Sequence, residues 1–111
     1  MDDKPRNLRT MLSEAKDTSE LMVDLAYAAV YFGDLQMAEE VGELEDHLNE
    51  LVHDMRAVCV LAARAPREAD AMASVLQVIS SIERIGNAAV DIGDPVALAS
   101  DGDDAHARLH R

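Results

Sequence analysis

Apolar residues return every three or four positions through most of the chain, the rhythm of one face of an α-helix. The first series runs Leu8, Leu12, Ala15, Ser19, Met22, Ala26 and Ala29. Leu21, Leu25, Ala28 and Phe32 form a second stripe beside it and widen the apolar face. Gly33 followed by Asp34 marks the end of that segment, Gly as the closing residue and Asp as the cap of the next helix. The second series is cleaner: Met37, Val41, Leu44, Leu48, Leu51, Met55, Val58, Ala62 and Ala65 keep the four-three rhythm unbroken. Pro66 closes it and opens a third segment at its first turn. That segment carries Ala69, Met72, Val75, Ile79, Ile82, Gly86 and Ala89, and Asp94-Pro95 is read as its stop. The pattern predicts helices over 8–32, 35–64 and 67–94, and no run has the two-residue period of a strand. Such short connections force an all-α, up-down-up three-helix bundle. Residues 1–98 are read as one domain. Residues 99–111, small and charged without periodicity, are read as a disordered polar tail.

The third segment contains SSIERIGNAAVDIGD (80–94), a helix with two glycines. Each should cost about 1 kcal/mol against Ala. Gly86 falls on the seam between Ile82 and Ala89, so the expectation is a close approach by a neighbouring helix. The same stretch carries Glu83, Asn87 and Asp91 at four-residue spacing. With the turns near Gly33 and Pro66 taken as mirrors, Glu20, Glu45 and the Glu83/Asn87 group share one height in the bundle. Carboxylates crowded together repel unless a cation binds or protons are taken up. Glu45, Glu83, Asn87 and Asp91 are therefore the candidate ligands of a hard cation, which takes oxygen donors. A metal-binding sensor or storage protein is the function that this set would imply. His47 and His53 are six apart, poor spacing for a shared site on a helix, and His106 and His110 lie in the polar tail.

Composition narrows the classes. A chain of 111 residues is one domain by default. Aromatics make up only 3% and Trp is absent, so the core must be built from Ala, Val, Leu, Ile and Met. Twenty-two acidic residues against ten basic ones give a net charge of -12, and Lys4 and Lys16 are the only lysines. No basic patch exists for nucleic acid, and an anionic membrane surface would repel the chain. Acid excess with few lysines fits a halophile, whose high-salt cytosol screens the charge while an acidic surface preserves solubility. Cys59, alone in the run VCVL, can form no internal disulfide and reads as a buried thiol. No stretch has the length of a membrane span, and the opening MDDKPRNLR does not read as a signal peptide, so a cytoplasmic protein is expected. Phosphate-binding Gly loops and a local Ser/His/Asp signature are absent. The arginines are scattered rather than gathered for an anionic substrate, and the chain does not read as an enzyme. Val23, Tyr27 and Tyr31 fall opposite the core seam of the first helix, beside Glu20 and Asp24. These five residues read as a contact surface, expected to form a homodimer with aromatic anchors at its centre and the acids at its rim.

The run IERIGNAA (82–89) resembles the signature LERIGDxA of the PhoU family. CVLAARAP (59–66) followed by Glu68-Ala69-Asp70 is similar to the family's apolar helix end, Pro turn and Asp. Val41, Glu45, Leu48 and Leu51 match its preceding helix. The resemblance covers about residues 8 to 95. It implies a three-helix bundle, a form that usually occurs twice in tandem. It also implies a non-enzymatic regulator of phosphate uptake or, as in archaeal PhoU-like domains, of potassium channels and transporters. The partner would be a transport component or its cytoplasmic regulatory domain. Some family members carry iron or zinc clusters through acidic ExxxD motifs. Here Asn87 stands where the family has Asp, and Asp91 where it often has Asn. The single acidic copy looks most like the archaeal group, and one repeat in place of two implies a homodimer.

Overall fold

The computed structural model describes the backbone of residues 7–109 and the side chains of residues 7–99. Three helices follow one another: α1 (Leu8–Phe32), α2 (Leu35–Ala62) and α3 (Ala69–Leu109). Each packs against both others, and there is no strand among the described residues. This is the all-α up-down-up bundle that the periodicity predicts.

The helix ends show why the boundaries fall where they do. Asn7 caps α1, its side-chain oxygen accepting from the Arg9 N–H at 2.7 Å. Gly33 closes α1 in the left-handed region at φ 63°, where a side chain would be strained. Asp34 then caps α2 by accepting from the Met37 N–H at 3.2 Å. α1 spans the expected residues 8–32, and α2 begins at the expected residue 35.

Three other boundaries differ from expectation. α2 ends at Ala62 rather than at 64, because its last turns tighten: Arg64 N–H donates to the Leu61 carbonyl and Ala65 N–H to that of Ala62. Pro66 does not open α3. It occupies the second position of a turn closed by the Glu68 N–H on the Ala65 carbonyl at 2.9 Å, where its fixed φ fits, and α3 starts at Ala69 rather than at 67. The largest difference is at the other end of α3, which passes through Pro95 and continues to Leu109 rather than stopping at 94. Pro95 and Asp91 are exposed, so water can reach the Asp91 carbonyl that the proline cannot bond. Ile92 packs against the core, Gly93 is buried, and Val96 and Ala97 are half-buried. The segment 99–109, read from composition as tail, lies within α3; His110 and Arg111 lie outside the described residues.

The core is aliphatic and sulfur-rich. Met11, Met22, Leu48, Met55 and Ile79 are its largest fully buried side chains, and alanines at 15, 26 and 89 let the helices approach. Thr18 and Ser19 are buried among them without an unmet polar atom: their hydroxyls donate to the carbonyls of Glu14 and Lys16, each at 2.8 Å. Gly86 is buried where α3 meets the other two helices. A Cβ there would lie 2.5 Å from Leu48 Cδ2 and 3.6 Å from Met22 Cε. That close approach is the one expected of a seam glycine, and it sets the register of the bundle: Met22, Leu48 and Gly86 share one level.

Candidate functional site

Two cross-links orient the helices. His47 Nε2 of α2 lies 2.8 Å from Glu14 Oε1 of α1, and Arg56 of α2 donates to Glu83 Oε1 of α3 at 2.7 Å. The Glu14 flank of α1 and the Glu83 flank of α3 therefore both face α2. The Glu83 carboxylate is thus neutralised by a guanidinium, with both side chains partly exposed.

This pairing occupies one of the expected cation ligands. Glu83 reaches Arg56 instead of joining Glu45, which is half-buried further along α2. Asn87 and Asp91 are exposed. Four-residue steps advance about 40° per step around an α-helix, so the stripe turns away from the α2 interface toward solvent as it climbs. Among the described residues, no three His, Cys, Asp or Glu side chains come together in a way that could hold a metal ion. Glu45, Glu83 and Asp91 do not form such a group.

The first-helix surface is partly as expected. Tyr27 and Tyr31 are 62% and 83% exposed, and Glu20 and Asp24 are exposed beside them. Glu20 is paired with Lys16 at 3.2 Å. Val23 is a correction: it is half-buried and packs against the core, because the α1 face is wider than its main seam. Phe32 is a correction in the opposite sense. It was read as part of the second apolar stripe, yet it is 70% exposed and meets Tyr31 edge to face at 5.0 Å. At the last residue of α1 its side chain stays outside the buried core.

All three aromatic side chains of the chain, Tyr27, Tyr31 and Phe32, are thus exposed in the last two turns of α1. Val30 is half exposed between them. The core uses no aromatic ring, while the surface shows every one of them at a single end. Leu98, also exposed, lies on α3 just past the same end, since Gly86 is level with Met22.

Charge divides along the same axis. Residues 17–55 carry eleven Asp and Glu and no Lys or Arg; residues 85–99 carry Asp91 and Asp94 and again no base. The antiparallel topology folds these two stretches together around the α1–α2 turn. Arg9, Lys16, Arg56, Arg64, Arg67 and Arg84 all lie on the other side of the Gly86 level. The end that displays the aromatics is therefore without Lys or Arg among the residues whose side chains are described, 7–99. The pattern reading missed this; the signal was the base-free gap from Lys16 to Arg56.

Other groups carry less. Cys59 is buried, and desolvation raises its thiol above the ordinary value, which keeps it protonated and unreactive. Two open surface grooves each run along a single helix, over residues 9–21 of α1 and 76–84 of α3. No helix among the described residues is long and apolar enough to cross a membrane.

Compared with known proteins, residues 12–96 match the family model of the PhoU domain. No curated protein matches the chain.

Proposed function

The chain belongs to the PhoU family, a regulatory, non-catalytic family associated with control of phosphate transport, and from that premise we propose that it is an accessory regulator of a membrane phosphate-uptake system. It acts in the cytoplasm, by binding a component of that system rather than by chemistry. The observation that carries this reading is the family match over nearly the whole bundle, residues 12–96. The display of Tyr27, Tyr31 and Phe32 on the surface supports action by contact, since exposed aromatics are common interface anchors. The excess of acidic residues and the two lysines support a halophilic, archaeal-type setting.

The test is deletion of the gene in its own host, with initial uptake rates of phosphate and of rubidium, a potassium mimic, measured in phosphate-replete and starved cells. The expected result is phosphate uptake that no longer falls in replete medium, with rubidium uptake unchanged. A change confined to rubidium would move the assignment to potassium transport. Unchanged rates for both ions would contradict a regulatory role in either system.

A further inference from the structure

The aromatic surface at the α1–α2 turn has a charge environment that selects its occupant. Tyr27, Tyr31 and Phe32 stand exposed in a half-molecule that holds Asp24, Asp34, Glu39, Glu40, Asp91 and Asp94 but no Lys or Arg among the residues whose side chains are described. We propose that this end of the bundle is a docking surface for a basic amphipathic segment of a partner protein, its apolar side chains on the three rings and its Lys or Arg residues on the acidic surround. Apolar anchors give such a contact its affinity and complementary charge its choice of partner.

A second copy of the chain is the occupant that the sequence pattern alone points to. Charge argues against it. A two-fold contact through Tyr27 and Tyr31 would set the acidic surround of one copy, Asp24 and Asp34 included, against its own like charge next to the rings. Nucleic acid and anionic lipid are repelled for the same reason. A basic segment meets opposite charge at the end of the bundle that carries the rings. The inference deepens the regulatory reading by naming the chemistry of its partner, and it rests on that reading only for the claim that the chain acts by contact.

The experiment uses the full chain and a fluorescein-labelled amphipathic helix of Leu and Lys, with a matched peptide of Leu and Glu, read by fluorescence anisotropy in about 0.15 M KCl, where the screening length is about 8 Å. The Leu/Lys peptide should bind saturably and the Leu/Glu peptide should not. Tyr27→Ser with Tyr31→Ser and Phe32→Ser should weaken binding about tenfold or more, and so should Asp24→Lys with Asp94→Lys. The same reversal at the far end, Asp17→Lys with Asp54→Lys, should leave it within about twofold. All of the side chains changed are exposed, and circular dichroism checks the helices; Tyr31→Ser alone serves if the triple variant unfolds. The proposal is overturned if the wild-type chain does not bind at tens of micromolar. Far-end reversal that weakens binding as much as reversal beside the rings would also overturn it, since the attraction would then be that of net charge alone. So would a native dimer, seen by light scattering, that the aromatic variant converts to monomer. None of these results touches the uptake phenotype of the deletion, so failure of the surface and failure of the regulatory assignment are distinguishable.

Discussion

Gly86→Ala sets two calculable effects against each other. Replacing an internal helical Gly by Ala gains about 1 kcal/mol of helix propensity. The added Cβ would sit 2.5 Å from Leu48 Cδ2, well inside contact distance. Leu48 is only 2% exposed and packed on all sides, so its methyl cannot swing into solvent. Either it leaves its rotamer, at about 0.5–1.5 kcal/mol, or α2 and α3 separate, an overpacking cost of about 1–3 kcal/mol. Because Leu48 is buried, a change of its rotamer also displaces its neighbours, so the two costs combine to about 2 kcal/mol and, against the propensity gain, the variant should be less stable by about 1 kcal/mol. For a domain of this size that lowers Tm by about 4–8 °C. Gly42 and Gly93 supply the controls, because a Cβ on either meets nothing within 4 Å. Gly42→Ala and Gly93→Ala should each raise Tm by a similar amount through propensity alone. Leu48→Ala closes the cycle: with the obstructing methyl gone, Gly86→Ala should become stabilising by about 1 kcal/mol, a sign reversal that isolates the contact. The assay is thermal and urea denaturation followed by far-UV circular dichroism. If Gly86→Ala stabilises the wild-type chain as much as Gly93→Ala does, the seam assignment is wrong.

Three further outcomes are expected. Pro95→Ala should stabilise by up to about 3 kcal/mol, because it restores an N–H to the Asp91 carbonyl inside a continuous α3; no gain in Tm would mean that α3 breaks there. Thermal midpoints should rise from dilute buffer to molar KCl, since screening relieves the repulsion of a chain at net charge -12, and a flat or falling midpoint would contradict that electrostatic account. Cys59 should resist alkylation near neutral pH in the folded chain and react at an ordinary rate in denaturant, because burial holds its thiol above the usual value. Ready labelling of the native protein at pH 7 would show the thiol to be accessible.

Much of the architecture was legible because it depends on local rules. Period and capping residues place α1, the Gly33-Asp34 turn and the start of α2, since each is decided within a few residues. The far end of α3 was not legible: Asp94-Pro95 is a good stop signal, yet the helix passes through it with Ile92 against the core and Val96 and Ala97 half-buried. The polar stripe is less uniform than its spacing suggests. Glu83, Asn87 and Asp91 share a spacing but not a direction, and Arg56, 27 positions away, decides where Glu83 goes. Phe32 was misplaced because periodicity assigns a face but does not say which of its residues a neighbouring helix covers. Tyr27 and Tyr31 were found from their position opposite the seam. The concentration of acid around them emerges only when the topology lays two base-free stretches side by side.

The most direct test of the central claim, regulation of phosphate uptake by contact through the aromatic acidic end, is made in cells. The chromosomal gene is replaced by the Tyr27→Ser/Tyr31→Ser/Phe32→Ser variant, its protein level is matched to wild type by immunoblot, and initial phosphate uptake is measured in replete medium. The expected rate is the elevated one of the deletion strain, although the bundle is present and folded. A wild-type rate in the variant, with the deletion strain elevated, would contradict the claim that this surface carries the function.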